Sequence, residues 1–167
     1  KEIGDNAFSN CSSLYSITAD KVETVGKSAF YGCSSLVSAS LDSVTSLGAS
    51  AFYNCSALEL FKLTKGLELG TSVFSGCKGL SSVEIEEGVT ALPNNTFNNC
   101  SSLKSVVLPE SLELIGNYCF NKAGLESIVI PEATLTIGYN AFAENKSLLS
   151  VEINAPIVEF DSSIFSG

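Results

Sequence analysis

The chain contains no histidine and no arginine. Without histidine there is no Ser-His or Cys-His pair to activate a nucleophile. A zinc site loses its usual nitrogen ligand, and no Cys-x-x-Cys pair makes up for it. All 9 basic residues are lysines and face 18 acidic ones, for a net charge of −9. Nucleic acids and anionic lipids attract clustered cations, so neither is an expected partner. No apolar run approaches the 18 or so residues of a helical membrane span, so no membrane insertion is expected. No targeting leader is visible, because the first residues already lie inside a repeat. The glycines recur with that repeat and form no phosphate-cradling loop. Nothing places two of the carboxylates in a cleft for acid–base work. The composition therefore points away from an enzyme and from a cofactor.

What the chain does have is a period. Phenylalanine recurs at Phe8, Phe30, Phe52, Phe74, Phe97, Phe120, Phe142 and Phe165, with spacings of 22, 22, 22, 23, 23, 22 and 23 residues. Self-similarity at such a period means a solenoid. The unit reads Ile-Gly-x-x-Ala-Phe-x-x-Cys-x-x-Leu-x-x-Val-x-Ile. Its last part alternates apolar and polar residues, as in Leu80, Val83 and Ile85 or Leu125, Ile128 and Ile130. Period-two alternation implies one short strand per repeat with one face inward. Pro109 and Pro131 directly follow their strands and stop them. A second short extended piece follows the turn, as at 22–25, 44–47 and 89–92.

Gly4, Gly26, Gly48, Gly70, Gly116 and Gly138 stand four residues before the Phe, where the backbone needs either a positive φ or a close approach to a neighbour. Pro93 and Asp161 break that pattern. Short polar residues then precede Ala-Phe and suit a helix start, so one or two helical or 3-10 turns are expected there. Cys11, Cys33, Cys55, Cys77 and Cys100 each follow the Phe by three residues, while the sixth and seventh repeats carry Ala123 and Asn145 in that slot. Exchange with alanine marks a small buried residue. A ladder of free thiols is the favoured reading, with disulfides between neighbouring rungs and metal binding as alternatives.

This motif, with its best copies at 25–41, 47–63 and 114–131, resembles the BspA-like class of leucine-rich repeats, and the resemblance covers essentially the whole chain. It implies an α/β fold: a right-handed, horseshoe-type leucine-rich-repeat solenoid of about eight repeats of 22–23 residues. A parallel β-sheet would line the concave face and short helical or 3-10 turns the convex face. Residues 1–167 would form one such solenoid within a longer array. The family implies an extracellular or cell-surface location and, for several members, adhesion to host or matrix proteins. It offers no shared catalytic residues. The expected function is a non-catalytic protein-binding or adhesion module. A structural spacer, or a solenoid that self-associates end to end, is the alternative.

The outward strand positions form the candidate binding surface: Tyr15, Ser38, Leu60, Lys62, Glu84, Lys104, Val107, Val129 and Glu152. One outward column is nearly all serine, which either suits a crowded sheet face or leaves a shallow docking floor. Leu60, Val107 and Val129 are apolar where solvent is expected and are the better contact candidates. Glu84, Glu86 and Glu87 read as solvated surface. Asn-x-Ser/Thr sequons occur at Asn10, Asn54, Asn94, Asn99 and Asn145 and could carry glycans in a secreted eukaryotic protein.

A repeat this short cannot offset its own ordering entropy, so stability comes from contacts between neighbours. Phe74→Ala, in the middle of the aromatic column, is expected to cost about 3–5 kcal/mol, read from urea unfolding.

Overall fold

A computed structural model describes residues 1–156 and 162–167. The chain winds as a parallel β-coil of about seven turns, not the eight expected from the phenylalanine count. Each coil presents two strand positions. The short strands are β1 (Glu2–Ile3), β3 (Thr24–Val25), β5 (Ser46–Leu47), β7 (Glu68–Leu69), β9 (Ala91–Leu92), β10 (Leu114–Ile115) and β12 (Thr136–Ile137). The longer strands are β2 (Ser16–Thr18), β4 (Ser38–Ser40), β6 (Leu60–Leu63), β8 (Ser82–Ile85), β11 (Ser127–Ile130) and β13 (Ser150–Ile153). All pairings are parallel, and each aligns equivalent positions of neighbouring coils, as in Val25 with Leu47 and Lys62 with Glu84.

The eight phenylalanines form one column. Adjacent rings lie 5.0–5.7 Å apart and within 22° of parallel. From Phe30 to Phe120 the side chains are fully buried. Leu36, Leu58, Leu80, Leu103 and Leu125 line the same core from the next turn of the coil.

The expected helical turns do not form: among the described residues there is no helix, and the fold is all-β rather than α/β. The segment around each Phe is instead a ribbon of successive tight turns. Amides alternate in direction along it. Ala29, Tyr31 and Cys33 donate three residues back, to Gly26, Ser28 and Phe30. Ser28, Phe30 and Gly32, between them, donate to Ala49, Ala51 and Tyr53 of the next coil at 2.8–3.0 Å. A helix would direct every amide along its own axis and forfeit the bonds to the neighbour. The alternation needs left-handed backbone two residues before and two after the Phe, and φ lies between 53° and 69° at Ser28, Gly32, Ser50 and Asn54. The short polar residues before Ala-Phe therefore serve this conformation, not a helix start.

The repeated glycine four residues before the Phe owes its place to close approach. A Cβ on Gly48 would lie 2.6 Å from the Lys27 backbone nitrogen, and its φ is not positive. Its amide donates to Val25 of the preceding coil at 2.7 Å. Equivalent bonds run from Gly26, Gly70, Gly116 and Gly138. Pro93 occupies this slot without an N–H to offer, and the short-strand sheet is interrupted there: β1, β3, β5 and β7 form one sheet, β9, β10 and β12 another. A cleft of about 370 Å³ opens between them beside Gly66, Leu69, Val89 and Pro93. Asp161, the other break in the glycine pattern, lies outside the described residues.

The longer strands pair only as β2–β4, β6–β8 and β11–β13. Residues 105–108 join no ladder. The contact between the β7–β8 coil and the next is thus without either sheet. It rests on the turn ribbon, with Ser72, Phe74 and Gly76 donating to Asn94, Thr96 and Asn98, and on the Glu87 carboxylate, which accepts from the Glu110 amide at 3.0 Å. Local opening follows the weakest contacts. Amides at 90–92 and 105–108 are expected to exchange with solvent deuterium at least tenfold faster than their equivalents at 45–47 and Ser127–Ile130, as measured by mass spectrometry or NMR.

Candidate binding surface

The nine residues expected on the outer face of the longer strands are all exposed and spread along the coils. Period-two geometry places them there: Phe61 and Leu63 turn inward, Leu60 and Lys62 outward. Leu60, Val107 and Val129 are 62 %, 83 % and 48 % exposed, so none contributes much to the core. Tyr15 and Lys104 flank this face. Lys104 is held by Glu126 of the adjacent coil at 3.1 Å.

Lys62 is clasped by Glu84 at 3.1 Å and Glu86 at 2.9 Å. The hydrogen bonds that Lys62 donates to Glu86 and then Glu84 raise the lysine above its ordinary value. Glu86 is lowered by the same lysine, aided by the Lys65 amide. The acidic group at Glu84, Glu86 and Glu87 therefore works within the fold as well as facing water: Glu87 also accepts from the Ser111 amide. The registered pairing of β6 with β8 brings Lys62 opposite Glu84.

Further exposed apolar residues were not singled out by the sequence. Leu149, 87 % exposed, stands in the column of Tyr15 and Lys104, and repeat alignment could have found it. Leu114, Leu135 and Tyr139 are exposed near the other sheet, where Tyr139 meets Tyr118 edge-on at 4.6 Å.

The cysteines are structural. All six are free, and all but Cys11 are buried. Cys33, Cys55, Cys77 and Cys100 each donate the thiol to the carbonyl of the Phe one coil back: Phe8, Phe30, Phe52 and Phe74, at 3.0–3.1 Å. Asn145 takes over that bond in the seventh coil, donating to Phe120 and Phe142 at 2.8 Å and accepting from Leu125 at 2.9 Å. Its amide is buried and committed, so this sequon is not presented for glycan attachment. In the sixth coil Ala123 leaves the slot empty, and Cys119 packs beside Thr96, the buried residue that replaces alanine one coil back. Burial pushes the thiols up: Cys55, Cys77 and Cys100 far above their ordinary range, and Cys119 to about 12. They are poor nucleophiles.

Parallel coils, a continuous aromatic column and an exposed strand face define a leucine-rich-repeat type of solenoid. The BspA type leucine rich repeat region matches the chain at residues 1–102 and 67–167, as six copies. The protein therefore belongs to the BspA-type leucine-rich repeat family.

Among solved structures, a leucine rich cell surface protein from Faecalibacterium prausnitzii A2-165 is 31 % identical, with a TM-score of 0.85 over 93 % of this chain and 43 % of its own. A leucine-rich repeat protein from Bacteroides ovatus ATCC 8483 is 30 % identical, with a TM-score of 0.74 over 90 % of this chain and 46 % of its own. The pneumococcal vaccine antigen PcpA, 21 % identical with a TM-score of 0.66 over 92 % of this chain and 50 % of its own, shares the fold. This chain thus spans less than half the length of the first two. No curated protein matches it.

Raised thiol values carry a stability consequence with a definite sign. Below about pH 8.5, the unfolded thiol value, both states hold the proton and stability is intact. Above it the unfolded chain ionises first, and stability falls until the pH passes the folded values. The urea midpoint is expected to drop as pH rises above about 8.5, because the unfolded chain's thiols ionise while the buried ones stay protonated. Replacing Cys55, Cys77, Cys100 and Cys119 with alanine should flatten that slope.

Proposed function

We propose that this solenoid is a non-catalytic protein-binding module of an extracellular or cell-surface protein and that it acts in adhesion to host or matrix proteins. The observation that carries the reading is the exposed apolar set Leu60 and Val129, on the outer face of the longer strands, and Val107, in the unpaired stretch at the equivalent position. A solvated sheet face gains nothing from such residues, whereas a protein interface buries them. The first matched structural relative is described as a cell surface protein, which supports the location. The small side chains of Ser38, Ser82, Ser105, Ser127 and Ser150 leave that face shallow and accessible.

The test is binding of immobilised extracellular-matrix proteins, measured by surface plasmon resonance. Leu60→Asp and Val107→Asp lie outside the core, so the unfolding free energy from urea titration should stay within about 0.5 kcal/mol of the parent. Each is expected to weaken binding at least tenfold. Unchanged affinity in both variants would remove the strand face as the site. Light scattering against concentration tests the alternative: mass that grows with concentration supports a spacer that joins end to end.

A further inference from the structure

The contact between the β3–β4 coil and the β5–β6 coil is closed on two sides and open on the third. Its short strands pair, with Val25 beside Leu47. Its aromatic rings stack, Phe30 on Phe52 at 5.0 Å. Its longer strands do not pair: no ladder joins β4 to β6, and one bond, from the Glu59 amide to the Val37 carbonyl at 3.3 Å, links their starts. Side-chain size accounts for the gap. The inward column runs Ile17, Ala39, Phe61, Val83, so its smallest member lies next to its largest. Phe61 is drawn the other way, its ring tilted against Phe52 at 5.4 Å and Phe74 at 4.7 Å. Ala39 leaves its share of the space unfilled.

The result is a cleft of about 610 Å³ with Ala39, Leu41, Leu60 and Phe61 among its apolar lining. That volume suits a large side chain and adjoining backbone. The charged lining is Asp42, Glu59 and Glu86 against Lys62 alone, and Lys62 is already neutralised by Glu84 and Glu86. The rim is therefore left with an excess of negative charge, in a chain whose net charge is −9. β4 and β6 are too close for a strand to lie between them, so the cleft admits a side chain from a segment that crosses the strand face from outside.

Resting on the protein-binding reading above, we infer that this cleft docks an extended protein segment in which a large apolar side chain is flanked by lysine or arginine. The apolar residue enters between Ala39 and Phe61, and the cations meet Asp42 and Glu59.

The probe is the peptide acetyl-GKLFKG-amide, titrated against the ¹⁵N-labelled chain. Saturable amide shifts are expected at Ala39, Leu60 and Phe61, and binding weakens as NaCl is raised, because exposed charges are screened. The glutamate analogue acetyl-GELFEG-amide is expected to bind at least tenfold more weakly. Ala39→Leu fills the cleft without altering charge and should weaken the lysine peptide at least tenfold. Should that variant lose its thermal transition, Asp42→Lys with Glu59→Lys, both at exposed positions, gives the same test from the rim. Equal binding of the two peptides, or shifts confined to other coils, would overturn the inference. If a matrix protein binds parent and Ala39→Leu alike, the cleft is wrong while protein binding stands. If the peptide fills the cleft but no matrix protein binds, adhesion is the reading that fails.

Discussion

The structure depends on the bond that every second amide of the turn ribbon makes to the coil above it. From Asn6 to Glu144 these amides reach the next coil, at a carbonyl except for Asn140, which donates to the Ser163 hydroxyl, and their length sets the rise between coils. Everything stacked inside must accept that rise. Flat aromatic rings do so in offset parallel packing, and Phe fills all eight places of the column. The thiol fits the same rise and gives the Phe carbonyl a second donor beside the amide three residues on. Where a residue departs from the pattern, the bond it served is lost or reassigned. Asn145 reassigns it. Pro93 ends it, and a sheet ends with it.

The phenylalanine period and the apolar alternation made the coil legible before any coordinates. The short strands fell within the stretches marked by Val22, Val44 and Val89, and Cys33, Cys55, Cys77 and Cys100 form a buried ladder, with Cys11 exposed and Cys119 outside it. The turn segment was misread, because Ser28, Asn6 and Asn95 are equally at home before a helix and in left-handed turns. Only the neighbouring coil decides between them, since it offers the carbonyls that a helix would ignore. The glycine slot stood between two readings for the same reason: its need arises from a backbone one coil away.

The candidate surface was legible by direction and not by continuity. Alternation told which side chains leave the core, and the nine residues are exposed. It could not tell where adjacent strands part, because Ala39 and Phe61 each read as an acceptable inward residue. Their mismatch appears only when 22 residues of chain are folded out and the two are placed side by side. The face of the longer strands is consequently a set of paired ribbons with gaps, and its relief comes from the core beneath it. Family membership fixes the scaffold on which this relief is built and leaves its ligand to the side chains.

The direction of the bonds between coils also gives the array a mechanical character. They lie along the stacking axis, so tension on the chain loads them one coil at a time, as a zip is loaded, and not all together in shear. A detached coil of 22 residues extends to roughly 75 Å. The contact that lacks both sheets, between the β7–β8 coil and the next, is where such peeling would start. A stack of coils built this way lengthens stepwise under load while its remaining coils keep their form.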